Sequence, residues 1–142
     1  MKPLHHPLLV AFLLVGLAGC YKDDVDVSAR TDNPFDADYS GPSVFSLDSI
    51  FVEQVVGPPS YFRQVVQFKV NAALFLAPAS YQVEVHDLLE GTRTLVGQVP
   101  PGSHTLRYHR NEYQPGQEVC LELRLTNNNA FGRPGTICGT WP

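Results

Sequence analysis

From about residue 45 onward, apolar side chains occupy every second position in short runs. The clearest runs contain Val66, Phe68 and Val70; Tyr81, Val83 and Val85; Leu106 and Tyr108; and Val119, Leu121, Leu123 and Leu125. Such alternation gives a strand one apolar face for a core and one polar face for solvent. No segment after residue 42 has a convincing helical period. The pattern therefore predicts an all-β protein.

Glycine and proline clusters separate these runs and set the expected number of strands. The separators lie at residues 57–59, 78, 91, 100–102, 115–116 and 132–134. Residues 45–56 form a further apolar run, in which we expect an irregularity near Ser49. Short strands with turn signals at this spacing are typical of an antiparallel β-sandwich of about seven strands.

The amino terminus has a different pattern. Lys2 lies in a short polar start, and residues 8–18 are almost purely apolar. This layout is typical of a secretory signal. The apolar run is shorter than the ~20 residues that a helix needs to cross a bilayer. We therefore expect no transmembrane helix here.

The apolar run ends in Leu17, Ala18, Gly19 and Cys20, which resembles the lipobox of bacterial lipoproteins. The resemblance implies cleavage before Cys20, lipidation of its thiol and attachment to a membrane through acyl chains. An ordinary cleaved signal followed by a chance cysteine is the alternative. The residues that follow are Tyr21, Lys22, Asp23 and Asp24.

This lysine and its two acidic neighbours resemble the surface-export signal of some Gram-negative lipoproteins. The resemblance implies the outer membrane, with the cell surface favoured over the periplasmic face. A plain solvated tether would have the same composition.

The charge is unevenly distributed between two parts of the mature chain. Residues 20–39 carry six aspartates against two basic residues, whereas residues 40–142 carry eight acidic and seven basic residues. We therefore expect a signal peptide at 1–19, a lipidated cysteine with an acidic flexible tether at 20–42, and one β-sandwich domain at 43–142. The missing basic cluster argues against nucleic acid as a partner.

The last third of the chain resembles strands E, F and G of fibronectin type III domains. The residues that carry the resemblance are Leu106 to Tyr108, Tyr113, Pro115, Gly116, Val119 to Leu125, Asn127, Asn129 and Gly132. Val119 stands where the family usually has a tyrosine, and Phe68 where it often has a tryptophan. The resemblance implies a fibronectin type III or immunoglobulin-like sandwich, with a transthyretin-like sandwich as the alternative. Domains of this kind mostly bind a partner or act as spacers.

Cys120 and Cys138 remain as an even pair once Cys20 carries lipid, and a secreted chain meets an oxidising environment. The alternation places Cys120 in step with Glu122 on the outward face. The two cysteines are equally distant from Asn129, the centre of an expected hairpin. We predict a disulfide between direct cross-strand partners, with both sulfurs outward. A catalytic redox pair would favour a Cys-x-x-Cys spacing, which is missing.

An apolar segment interrupts the expected connection between the second and third strands. Its residues are Leu74, Phe75 and Leu76. In a fibronectin-like fold, this connection would lie at the same end as Asn128, Asn129 and Phe131. The two groups could then form an apolar, amide-rimmed patch for a protein or glycan partner. Alternatively, Leu74 and Leu76 fold inward as a lid over the core.

Candidate catalytic groups do not form a recognisable set. His104 and His109 are five positions apart and would face opposite sides of one regular strand. No serine lies in a Gly-x-Ser-x-Gly elbow. Residues 36–41 begin like a calcium-binding loop, but Leu47 stands where a bidentate Glu is required. We expect no enzyme, no cofactor and no metal site.

These observations predict an outer-membrane-anchored lipoprotein whose β-sandwich is not catalytic. The sandwich would act as a binding or spacer module for an envelope protein or glycan. The alternative is a small hydrolase or metal-dependent accessory subunit of a surface complex, because Glu84, Glu112, Glu118 and Glu122 could meet in space.

Overall fold

Two antiparallel sheets packed face to face form the protein, as seen in a computed structural model that describes residues 32–77, 79–99, 104–110, 115–127 and 130–142. The predicted signal peptide and Cys20 lie outside the described residues. The strands are β1 (Phe45–Val55), β2 (Tyr61–Val70), β3 (Tyr81–Asp87), β4 (Arg93–Val99), β5 (Thr105–Arg110), β6 (Glu118–Asn127), β7 (Ala130–Phe131) and β8 (Gly135–Thr140). The prediction of an all-β sandwich is confirmed.

The first sheet has the order β1-β2-β5. In the second sheet, β3 lies between β4 and β6, and both β7 and β8 pair with β6. All of these pairings are antiparallel. The short turn Ala72–Leu74 connects β2 to β3.

The core lies between the sheets and consists of the alternating residues identified in the sequence. Phe68, Leu121 and Leu123 are completely buried, and Trp141 follows β8 and is also buried. Burying such a side chain contributes about 1.5–3 kcal/mol relative to leaving it in water. The core residues from the strands are Phe45, Val66, Phe68, Val70, Tyr81, Val83, Val85, Leu106, Tyr108, Val119, Leu121, Leu123, Leu125 and Ile137.

Two strands carry an extra residue. Leu47 pairs with Phe68 while Ser49 pairs with Gln67, so Asp48 is the extra residue on β1. This bulge confirms the irregularity predicted near Ser49. On β4, the partners of Tyr81 and Val83 are three positions apart rather than two. The extra length includes Gly97, whose φ of 48° lies in the left-handed region that glycine adopts without strain.

The sequence analysis placed the start of the domain at residue 43. The folded part of the chain begins before that residue. Phe35 and Tyr39 lie in the segment expected to be a tether, yet both are buried in the core cluster. Arg133 donates its backbone N–H to Asp36 O (3.0 Å) and Nη1 to Tyr39 O (3.1 Å). A Cβ at Gly132 would overlap the carbonyl oxygen of Pro34. Residues 33–42 are therefore called the N-terminal clasp.

The clasp defines one end of the sandwich, which we call the clasp pole. The β2–β3 connection and the β7–β8 turn lie at the same end, since Phe75 contacts Phe35 and Arg133 bonds the clasp. The opposite end, called the hairpin pole, contains the β1–β2 turn, the β3–β4 turn and the start of β6. The ten residues of β2 place the two poles about 30 Å apart.

Candidate functional site

The apolar β2–β3 connection is divided between core and surface. Leu74 and Phe75 are half-buried and pack against the core. The Phe75 ring lies 5.1 Å from that of Phe35 and 5.2 Å from that of Tyr81, measured between centroids. Leu76 is 78% exposed. The clasp therefore covers Phe75, and the expected lid includes Leu74 but not Leu76.

The other half of the predicted patch is only partly described. Asn128 and Asn129 lie outside the described residues. Phe131 is half-exposed, and the guanidinium carbon of Arg124 lies 4.8 Å from the centre of its ring. A cation over an aromatic face is attracted by the ring quadrupole. Phe131 thus packs against a charged side chain of the neighbouring strand.

The two cysteines of the domain form a disulfide. Cys120 and Cys138 are direct partners in the β6–β8 ladder, with a Cα–Cα distance of 4.2 Å. Cys138 is exposed and Cys120 is half-buried on the outer face of the sheet. The predicted pairing, register and outward direction are all confirmed. The bridge fastens the C-terminal strand to the centre of its sheet.

An ionic network occupies the outer face of the second sheet. Glu84 accepts hydrogen bonds from Arg93 Nη1 (2.7 Å) and from Arg124 Nη2 (3.0 Å). Partial burial disfavours the charge on Glu84, but the hydrogen bonds from Arg93 and Arg124 outweigh this effect and lower its pKa. Glu84 is therefore held as a carboxylate between two arginines, a state that suits a structural role.

Replacing Glu84 with glutamine is expected to make the free energy of unfolding depend less on pH in the acidic range. A lowered pKa in the folded state means that ionised Glu84 stabilises the fold at neutral pH, and that this contribution is lost as pH falls through the folded pKa. We expect Glu84→Gln to cost about 0.5 kcal/mol at pH 7. Urea unfolding between pH 3 and 7 should show this difference shrinking with acidification. Glu118→Gln, at an exposed position, is the control, and a pH-independent difference would contradict the assignment.

Side chains of the metal-ligand type come close together at one place in the part of the chain that the structure describes. The one group of three ligand-type side chains there contains Glu118, Cys120 and Cys138. Its two sulfurs are bonded to each other and are not available as thiolates. His86 Nδ1 lies 3.5 Å from Glu122 Oε1. Partial burial and the nearby Arg63 lower the pKa of His109.

A buried ionic cluster joins the two sheets at the hairpin pole. Asp87, which is completely buried, accepts hydrogen bonds from the backbone N–H groups of Leu89 (3.0 Å) and Glu90 (3.1 Å) and from the Tyr108 hydroxyl (3.2 Å). Arg110 Nε lies 3.4 Å from Asp87 Oδ2 and donates to Glu90 at 2.7 Å. Burial, together with the Asp87 carboxylate, raises the pKa of Tyr108. The cluster connects the end of β5 to the β3–β4 turn.

The hairpin pole also carries exposed apolar side chains that the sequence analysis missed. They are Val56, Tyr61, Phe62, Leu88 and Leu89. Two signals could have revealed them. Tyr61 and Phe62 are adjacent, so one aromatic ring must leave the inner face of its strand, and Leu88 and Leu89 are adjacent in a turn that is otherwise polar.

A shallow groove of about 230 Å³ lies beside the clasp, between Tyr39 and the loop that contains Arg133 and Pro134. It is smaller than the ~300–1,000 Å³ typical of ligand pockets.

Within the described ranges, no helix has the length and hydropathy needed to cross a bilayer. Comparison with known proteins found no matching family model, and neither the curated proteins nor the solved structures contain a significant match.

Proposed function

We propose that this chain is a lipid-anchored envelope protein whose β-sandwich is attached to a membrane at one pole and binds a partner without catalysing a reaction. The observation that carries the proposal is the path of the chain. The lipobox-like Cys20 precedes the N-terminal clasp, and the clasp is packed against one end of the sandwich. A lipid at Cys20 would therefore tether the domain to the membrane from the clasp pole.

The distance between lipid and domain is limited by chain length. Eleven residues separate Cys20 from Asp32, and at no more than ~3.6 Å per residue they span at most about 40 Å. The clasp pole would remain near the membrane surface. The hairpin pole would extend about 30 Å further when the domain stands upright.

The acidic sequence after Cys20 favours the outer membrane and its cell-surface side. The domain itself is nearly neutral, so it has little electrostatic attraction to anionic lipid. Its partner would be an envelope protein or glycan. Mild proteolysis of intact cells tests the side: loss of the domain without lysis supports surface display, and protection until lysis supports the periplasmic face.

One of the carboxylates expected to serve a hydrolase has structural partners instead. Glu84 lies between two arginines, whereas Glu112 lies outside the described residues. A glycosidase-type site requires two carboxyl groups facing one cleft, with one of them able to hold a proton near neutral pH. The lowered pKa of Glu84 does not suit it to the role of that proton-holding group. These contacts favour the binding function over the hydrolase alternative.

Lipidation of Cys20 is the direct test of the proposal. Cells that express the protein and are fed an alkyne-labelled fatty acid should incorporate the label into the wild type and not into Cys20→Ala. The Cys120→Ser/Cys138→Ser variant is the matched control and should keep the label, because its Cys20 is intact. Mass spectrometry should find the mature N-terminus at Cys20 with added acyl mass. An unmodified Cys20 thiol or an intact leader would refute the anchor.

A further inference from the structure

We propose that Glu118, Cys120 and Cys138 form a Zn²⁺ site that the disulfide closes and that reduction opens. The three residues supply ligand atoms that all lie within 4.8 Å of one another. This inference goes beyond the proposed function and does not depend on the lipid anchor. It assigns a second state to the cysteine pair, in which a metal ion replaces the covalent link.

Two neighbouring strands bring the three ligands to the same face of the second sheet. Glu118 and Cys120 are two positions apart on β6, so their side chains point to the same side. Cys138 is the direct partner of Cys120 on β8, and Thr140 is the partner of Glu118. Glu118 and Cys138 are both exposed. The group is therefore open to solvent and to an entering ion.

The spacing of the two cysteines suits a tetrahedral metal ion. Their Cα atoms are 4.2 Å apart, and the Cβ atoms of a bridged pair are about 3.5–4.5 Å apart. Once the S–S bond is broken, side chains that point straight out of the sheet place their sulfurs at about this spacing. Two Zn–S bonds of about 2.3 Å at a tetrahedral angle need sulfurs about 3.8 Å apart. Rotation about the Cα–Cβ bonds is therefore sufficient, without a change in the backbone.

The donor set selects the metal. Two thiolates favour Zn²⁺ over the hard ions Mg²⁺ and Ca²⁺, and a carboxylate favours Zn²⁺ over Cu⁺. Glu118 is exposed, so rotation about the bonds of its side chain brings the carboxylate closer to the sulfurs. Three protein ligands leave the fourth position of a tetrahedral Zn²⁺ to water. The open outer face of the sheet supplies that water.

The neighbouring charges favour a bound cation over a reactive thiol. Reactive cysteines lie beside cationic groups or helix N-termini, which stabilise the thiolate. On the outer face of β6, the side chains two positions before and after Cys120 are the carboxylates of Glu118 and Glu122. Thiolates beside these carboxylates would repel them, and a bound Zn²⁺ compensates this negative charge.

Contacts other than the disulfide hold the strands that carry the ligands. The ladder with β6 covers the whole of β8. Beyond its end, the Trp141 N–H donates to Gln117 O (3.0 Å) and the Gly116 N–H donates to Trp141 O (3.0 Å). The Trp141 side chain is buried. We therefore expect β6 and β8 to stay paired when the bridge is reduced.

Opening the site requires a two-electron reduction. A dithiol reductant supplies two electrons and two protons to the S–S bond, which gives two thiols, and is itself oxidised to a disulfide. Zn²⁺ then binds both sulfurs as thiolates, and the two thiol protons go to solvent. Reductants reach exposed disulfides, and these are the labile ones. The exposure of Cys138 meets this condition.

Cobalt titration of the purified full-length protein tests the site, because Co²⁺ occupies zinc sites and its thiolate bonds give a charge-transfer absorption. Protein reduced with a phosphine under argon should bind one Co²⁺ per chain with this absorption, and Zn²⁺ should displace the Co²⁺. The oxidised protein and the Cys120→Ser/Cys138→Ser variant should not show the absorption. Cys20→Ala should behave like the wild type, since Cys20 is not a ligand. Equal absorption from the oxidised protein or from the double variant would overturn the proposal.

Substitution tests the carboxylate. Glu118→Gln should weaken Zn²⁺ binding at least about tenfold, since removing even an indirect partner of a metal site costs about 10–100-fold in affinity. Glu122→Gln is the matched control, because it removes the same charge on the other side of Cys120, where Glu122 lies 3.5 Å from His86. Its affinity should match that of the wild type. Equal weakening by the two variants, or no weakening by Glu118→Gln, would refute Glu118 as a ligand.

Stability shows whether the metal replaces the covalent link. The fluorescence of Trp141, the single tryptophan of the chain, reports unfolding. Zn²⁺ should raise the unfolding midpoint of the reduced wild type and leave that of the Cys120→Ser/Cys138→Ser variant unchanged, whereas in a chelator the two should unfold alike. If reduction alone unfolds the protein, Zn²⁺ should restore the folded signal. No charge-transfer absorption after reduction, or no gain in stability with Zn²⁺, would overturn the proposal.

Discussion

Replacing Asp87 with alanine is expected to lower the free energy of unfolding by about 3 kcal/mol, because a buried or partly buried donor that loses its acceptor costs about 1–3 kcal/mol. Without the carboxylate, the Tyr108 hydroxyl and two backbone N–H groups lose their acceptor. Arg110, whose side chain is only 4% exposed, would keep Glu90 as its acidic partner. The Tyr108 hydroxyl lies in the interior, where solvent cannot fully compensate for the lost acceptor.

Urea or thermal unfolding of purified protein measures this loss. Asp87→Asn should cost less, because an amide oxygen can still accept from the backbone of Leu89 and Glu90. Arg93→Ala is the surface control and should stay within about 0.5 kcal/mol of the wild type. Similar unfolding midpoints for Asp87→Ala and Arg93→Ala would show that the cluster does not stabilise the fold.

Removing the Cys120–Cys138 bridge is expected to cost about 3 kcal/mol. The cysteines are 18 positions apart, and closing a loop of this length restricts the unfolded chain by roughly that amount. The Cys120→Ser/Cys138→Ser variant should therefore unfold at lower urea concentration than the oxidised protein. Reduced wild type should match the variant, since both lack the covalent link. A difference below about 1 kcal/mol would mean that the bridge has no substantial effect on stability.

The sandwich could be predicted because its signal is repeated in every long strand. Alternation decides which side chains face the core, and a hairpin fixes its own register once its centre is known. The pairing of Cys120 with Cys138 followed from these two constraints. The bulge near Ser49 was also visible, because the apolar positions change phase there.

The N-terminal clasp could not be predicted in this way. Phe35 and Tyr39 are isolated aromatic residues in an acidic, proline-containing stretch, and their burial depends on partners distant in sequence. One partner is Phe75, and another is the backbone around Arg133. Local composition indicates a solvated segment, whereas tertiary contacts bury it. A boundary drawn from composition alone therefore falls too late.

The sequence contains a signal for the buried cluster of Asp87 and Arg110 that the prediction did not use. Asp87 continues the inward phase of Tyr81, Val83 and Val85, and a carboxylate in that phase must find partners. Arg110 likewise continues the inward phase of β5. The hairpin pole is a different case, because strand periodicity assigns Phe62 to the inner face of β2 and does not determine that it is 56% exposed.

The bulge at Gly97 has a consequence for molecules that are crowded together on a surface. β4 is the outer strand of its sheet, and an uninterrupted outer strand invites another chain to pair with it. The extra residue breaks the regular spacing of donors and acceptors along β4. Neighbouring copies at high density would then find no continuous template along β4 for pairing strand to strand.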